Sequence, residues 1–200
     1  VCVGANGAFT MYGGMISGNT ATYDSSERSG GNGGGVLVGA NGTFTMNGGT
    51  ISGNKATYNS LASSATGSGG GVCMLWGNDD DPGTCTMSGG SITGNGAESN
   101  GKGVYIKGIA SCQLSGGARI AENTGSGTGN LYVMMGSELS ITNLTTGAQL
   151  GICFSRPEDM RVETGDQESL QYLTCENDGY VFTLENSNEL WLKRDRIKII

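Results

Sequence analysis

The residues of this chain that could do chemistry are few and unevenly placed. Histidine is absent from all 200 positions. That removes imidazole acid–base catalysis, Ser-His and Cys-His nucleophile pairs and histidine metal ligation together. What remains concentrates in the segment LWGNDDDPG at 75–83, where Trp76 stands beside Asn78, Asp79, Asp80 and Asp81. An exposed indole can stack on a sugar face, and the neighbouring carboxylates and carboxamide can bind hydroxyls or a cation. Tyr105 and Tyr132 form the second candidate ligand site. Calcium is the one cofactor these residues bring into view, and they fit it poorly. Asn78 to Asp81 are consecutive, whereas an EF-hand loop alternates its ligands. In Gly30-Gly31-Asn32-Gly33-Gly34-Gly35, Gly35 stands where a calcium-binding nonapeptide repeat needs aspartate. A solvated acidic loop without bound metal is expected.

Carboxylates do not assemble a catalytic pair. Glycosidases hold two carboxyl groups about 5–9.5 Å apart. Here Asp24 and Asp79–Asp81 sit on irregular segments, and Glu98, Glu122 and Glu138 fall at different points of a repeat. No catalytic residue is assigned. Of six cysteines, Cys85 and Cys112 occupy one inward position of adjacent repeat copies. They are close enough to bridge, or simply small apolar core residues, which is the plainer reading. Cys2 and Cys73 are too far apart to bridge, and Cys153 and Cys175 are the best bridge candidates.

These residues must be positioned by a repeated element. The stretch GGGVLVGANGTFTMNGGTISGNKA at 33–56 recurs with small edits. Its third apolar position steps through Met11, Met46, Met87, Leu114 and Ile141, at intervals of 35, 41, 27 and 27 residues. Each copy holds three short apolar-x-apolar runs, the period-2 signature of a half-buried strand, separated by glycine or Asn-Gly. No segment has the periodicity of an amphipathic helix. Three strands per turn, each lying on its equivalent in the next turn, is a parallel β-helix. The rule for parallel crossovers makes it right-handed.

Alternation assigns sides. Val36, Val38, Phe44, Met46 and Ile51, with their equivalents, point inward. Asn19, Asn54, Asn95 and Asn123 form a column of stacked amides at a turn. Outward, Thr10, Thr45, Thr86, Gln113 and Ser140 make a flat hydroxyl face. Cys2, Leu37, Cys73, Tyr105 and Tyr132 make an apolar stripe that is either an interface or the seat of a folded-over loop. Insertions at 22–32, 57–68 and 75–83 break the regularity, and Tyr23 and Tyr58 are equivalent. The repeat fades near Ala148, and residues 151–200 carry ten acidic and six basic residues. Runs at Gly151–Phe154, Tyr180–Leu184 and Glu189–Leu192 alternate like strands that cap the solenoid, with 193–198 as a frayed end. The expected layout is one domain, with repeats over 1–147 and a capping segment over 148–200.

Residues 33–56 closely resemble a known family: the right-handed parallel β-helix repeats of adhesin-like surface proteins of Gram-positive gut bacteria, whose turns read GGGVYV…GTFTMSGGTISGNTA. The Gly-Gly-x-Ile element is also similar to repeats of chlamydial polymorphic membrane proteins, which carry Phe-x-x-Asn where this chain has Ile-x-x-Asn. The wider fold group is pectate-lyase-like. The resemblance implies an all-β, single-stranded parallel β-helix of about five turns on the bacterial cell surface or cell wall. Arg196-Ile197-Lys198 looks like an element of polygalacturonases, but without companion motifs it carries no assignment.

Composition narrows the partners. A formal net charge of −7 and a pI near 4.5 speak against nucleic acid or an anionic membrane surface. No run reaches the ~18–20 apolar residues of a membrane span. Val1 falls inside a strand with no cap before it, so a larger protein with further turns is expected. The functional expectation is a non-catalytic, monomeric adhesion or stalk module binding a glycan or host surface protein. The alternative is a polysaccharide lyase or hydrolase whose catalytic turns lie outside this stretch.

Overall fold

The computed structural model describes residues 1–23, 31–58, 67–75, 83–159, 161–164, 167–185 and 189–194. It is all-β apart from two short 3₁₀ turns, Pro157–Asp159 and Glu168–Tyr172. Most strands pair in parallel across repeat copies, in a solenoid-like stack of three sheets. Among the described residues no helix is long and apolar enough to cross a membrane.

One copy shows how sequence dictates shape. Val36–Val38 leads through the turn at Asn41, whose φ is 58°, into Thr43–Met46. Asparagine tolerates this left-handed backbone better than other side chains do. A Gly-Gly corner then leads to Thr50–Ser52, and Gly53-Asn54 leads to Lys55–Tyr58. The fourth strand differs from the expected three per turn. It recurs as Thr20–Tyr23 and Gly96–Ala97, making a small third sheet with Tyr23 in register with Tyr58. What reads as the start of an insertion is therefore a continuation of the coil.

Register is strict. In the second sheet Phe9, Phe44, Cys85, Cys112, Leu139 and Val162 succeed one another on paired strands. From Phe44 onward these side chains are buried in one continuous core. Ile51, Ile92, Ile120 and Leu150 form a parallel column in the first sheet. Each buried side chain of this size contributes roughly 1.5–3 kcal/mol.

The amide column does more than fill a corner. Asn19 Nδ2 donates to Asn54 Oδ1 at 2.9 Å, Asn54 to Asn95 at 3.0 Å, Asn95 to Asn123 at 3.0 Å and Asn123 to Asn130 at 3.0 Å. Each acceptor oxygen also takes the backbone N–H of the donating residue, at 2.7–3.1 Å. The ladder ends on Glu176, whose carboxylate receives the Asn130 side chain at 2.5 Å and its backbone N–H at 2.6 Å. The Asn column is legible in the repeat. Asn130 and Glu176 lie outside its pattern and are not.

The C-terminal segment adds further strands to the stack. Gln149–Phe154 straddles two strand columns of the first sheet, pairing with Arg119–Ala121 through its first residues and with Leu131–Val133 through its last. Arg161–Thr164 adds in parallel to Glu138–Leu144. Glu189–Arg194 then pairs antiparallel with Arg161–Thr164, and Tyr180–Glu185 antiparallel with Glu189–Arg194. Lys193 and Arg194 thus belong to a strand; residues 195–200 lie outside the described residues.

Two stability predictions follow from the ladder and its corners. Asn95 is fully buried, and Asn95→Ala removes the acceptor for both Asn54 donors. At about 1–3 kcal/mol per unsatisfied buried group, it should cost about 3 kcal/mol or more in urea unfolding, against about 1 kcal/mol or less for exposed Asn19→Ala. Gly71 has Gly103 O and Ile92 Cγ2 each 2.8 Å from the place a Cβ would take, whereas nothing lies within 4 Å of a Cβ at Gly13. Gly71→Ala should therefore destabilise by about 1–3 kcal/mol and Gly13→Ala by almost nothing.

Candidate ligand-binding face

Trp76, Asn78, Asp79, Asp80 and Asp81 lie outside the described residues. Their flanks are anchored: Leu75 N–H donates to Val38 O and Thr84 N–H to Gly42 O, both at 2.9 Å. The segment thus leaves from and rejoins positions held against the coil of Val36–Met46. Among the described residues no three His, Cys, Asp or Glu side chains converge as a metal site would require.

Tyr105 and Tyr132 are register neighbours on strands Val104–Ile106 and Leu131–Val133, with ring centroids 5.8 Å apart and planes tilted by 44°. Their exposures differ. Tyr132 is half-buried, whereas Tyr105 is only 6% exposed and its hydroxyl lies 3.5 Å from Met134 Sδ. Tyr105 therefore presents almost no ring face to solvent. Cys73, next in the same outward stripe, is fully buried, while Cys2 at the stripe's other end is exposed. Part of the stripe is thus covered, and only part is open surface.

The environment of this stripe is apolar enough to govern its ionisation. Burial pushes the Cys73 thiol up to about 12 against the opposing pull of the Lys107 ammonium. Burial likewise pushes the Tyr105 phenol up to about 12, with Cys73 and Tyr132 adding to the effect. Cys153 rises to about 11, chiefly by burial and secondarily through Glu176 and Cys175. In the core, Cys112 is held well above the ordinary thiol range by its hydrogen bond with Cys85 and by burial. All six cysteines are free thiols, and Cys175 is in register with Ile152 rather than Cys153. Buried thiols of this kind are protonated at neutral pH and poor nucleophiles.

The outer face of the second sheet is different in kind. Two columns of side chains alternate with the buried core column. One runs Thr43, Thr84, Ser111 and Glu138; the other runs Thr10, Thr45, Thr86, Gln113 and Ser140. Paired strands space neighbours in a column by roughly 4.8 Å, and the two columns lie roughly 6.7 Å apart along the strands. Among the described residues, none of these side chains has a hydrogen-bond partner. Toward Glu138–Leu144 the face dips into a cleft of about 300 Å³ lined by Ser111, Gln113, Ser137, Glu138 and Ser140. Ser137 is fixed at this cleft by donating its hydroxyl to Gly108 O. Among the described residues, one further groove beside the third sheet is lined by Lys55, Thr57, Glu98, Thr124 and Ser126, and another in the C-terminal segment by Leu170, Leu173, Tyr180 and Phe182.

Sequence alternation identifies the Thr10-to-Ser140 column as an outward hydroxyl face. It misses the companion column and the cleft. The signal was available two residues earlier in each copy, where Thr43, Thr84, Ser111 and Glu138 keep the same spacing from the core position.

Comparison with protein-family models, with curated proteins and with solved structures finds no match.

The apolar stripe makes a pH prediction. Cys73 and Tyr105 hold their protons to higher pH when folded than their ordinary values of 9.0 and 10.0. Between those values and about 12 the unfolded chain has released the protons and the folded chain has not. Their stabilising contribution is therefore complete below pH 9 and is lost as pH rises from there to about 12. Urea unfolding measured across this range should show a falling midpoint, and the slope should flatten in a Cys73→Ala/Tyr105→Phe variant.

Proposed function

We propose that this chain is a non-catalytic module of a bacterial surface protein. In this reading it is a right-handed parallel β-helix of the pectate-lyase-like kind, with about five turns. It works outside the cell, at the cell wall, as an adhesive or rigid segment that engages a glycan or a host surface protein as a monomer. The observation that carries the reading is the coil-to-coil stack itself, locked by the amide ladder from Asn19 to Glu176, with a polar outer face that has no hydrogen-bond partner among the described residues. About five coils at roughly 4.8 Å make a rod of about 24 Å, stiff because every coil is tied to the next at core, backbone and ladder together. A rod of this kind presents loops and faces at fixed spacing, which suits attachment to a repetitive ligand.

The chemistry of the chain fits binding better than turnover. Histidine is absent; burial raises the Cys73 thiol, and the Cys85 hydrogen bond with burial raises that of Cys112, so that both stay protonated. The acidic balance disfavours nucleic acid. Resident calcium or another cofactor has no part in this reading.

The test is affinity electrophoresis through gels containing mucin or plant polysaccharides, with Trp76→Ala run beside the wild type. The wild type should be retarded in at least one gel. Loss of that retardation in Trp76→Ala would place the contact on the 75–83 segment. Unretarded migration in every gel would overturn glycan adhesion and leave a protein ligand or a bare stalk.

A further inference from the structure

We propose that the paired polar columns on the outer face of the second sheet, together with the cleft at Ser111, Gln113, Ser137, Glu138 and Ser140, form a binding site for a neutral polysaccharide laid across the strands. This deepens the adhesive reading above and rests on it, but it assigns the contact to residues other than Trp76.

Three observations converge. The first is hydrogen-bonding capacity. Thr45, Thr86, Gln113 and Ser140 in one column, and Thr84, Ser111 and Glu138 in the other, have no partner among the described residues. Hydroxyls both donate and accept, a carboxamide does both at separate atoms, and a carboxylate accepts. That mixture matches sugar hydroxyls, which need donors and acceptors together. The second is pre-organisation. These side chains stand on strands whose inward neighbours, Phe44, Cys85, Cys112 and Leu139, are 1–3% exposed. The array therefore spends little ordering entropy on binding, since its backbone is already fixed by register. β-Branched threonine adds side chains stiff about χ1.

The third is charge. The described lining of the cleft holds the Glu138 carboxylate and no cation, within a chain of formal net charge −7. A uronate polymer would bring further carboxylates toward Glu138 with nothing in that lining to offset them. A neutral chain meets no such repulsion and can donate its hydroxyls to Glu138 Oε1 and Oε2. The array is also extended, repeating from coil to coil, whereas the cleft of about 300 Å³ is local. The site is thus shaped for a polymer whose one residue seats in the cleft while its neighbours run along the columns.

The experiment uses the whole chain in affinity electrophoresis through hydroxyethylcellulose, a neutral polysaccharide, and through polygalacturonate, an anionic one. Wild type, Trp76→Ala and the double variant Thr86→Val/Gln113→Ala are run together, and their unfolding midpoints are recorded. The expected result is retardation by hydroxyethylcellulose and weaker or no retardation by polygalacturonate. The double variant should melt like wild type and lose about tenfold or more in apparent affinity, the scale of two lost hydrogen bonds. Glu138→Gln, which keeps the shape and removes the charge, should gain affinity for polygalacturonate. Retardation that survives in the double variant but is lost in Trp76→Ala would overturn this site while leaving the adhesive reading intact. No retardation of wild type by hydroxyethylcellulose overturns the neutral-glycan assignment. Polygalacturonate binding as strong as that of the neutral polymer overturns the charge argument.

Discussion

The buried amide ladder sets the constraint on which the rest of this structure depends. An asparagine in this corner can satisfy its oxygen only if the residue before it in the ladder brings two N–H groups to the same height. It can satisfy its nitrogen only on the next oxygen and on carbonyls of its own and the neighbouring coil. From Asn54 to Asn130 these side chains are buried, so each missed partner there costs on the order of 1–3 kcal/mol. Hydrogen bonds in such a chain polarise one another in the same direction, from Asn19 toward Glu176. The carboxylate at the end is the natural terminus, because it accepts from Asn130 twice and needs to donate nothing.

From that constraint a strict register follows. Copies of 35, 41 and 27 residues differ in length yet keep their strands and ladder residues paired. Glycine at position 71 serves the same end. Its hydrogen lies where a methyl would press on Ile92, on the Gly103 carbonyl and, at 3.1 Å, on Asn95 Nδ2. The fifth copy drops the Gly-Gly corner and the asparagine, and Gln149–Phe154 consequently runs straight across two strand columns. Leu173–Cys175 then adds in parallel to that strand, and the antiparallel pair Tyr180–Glu185 and Glu189–Arg194 extends the second sheet.

The two outer faces have separate physical characters. On the first sheet the outward column is apolar and partly covered, and the thiol of Cys73 and the phenol of Tyr105 lose solvation. On the second sheet the outward columns are polar and have no hydrogen-bond partner among the described residues. A covered apolar stripe contributes stability; under the proposal above, binding falls instead to the polar outer face of the second sheet.

Local sequence determined a good deal. The apolar-x-apolar runs fixed which side chains face inward, because a strand alternates sides whatever surrounds it. The spacing of Asn19, Asn54, Asn95 and Asn123 from the preceding isoleucines marked the ladder, because the same turn recurs at the same offset. Tertiary structure alone decided three things. It brought Glu176 to the end of the ladder, 46 residues beyond Asn130 and in no repeat. It buried Tyr105 and Cys73, which alternation points outward, because periodicity fixes the side a residue faces but not what lies over that side. And it gathered Ser111, Ser137, Glu138 and Ser140 into one cleft, because a concave site depends on how neighbouring coils and their corners fit, which no single strand encodes.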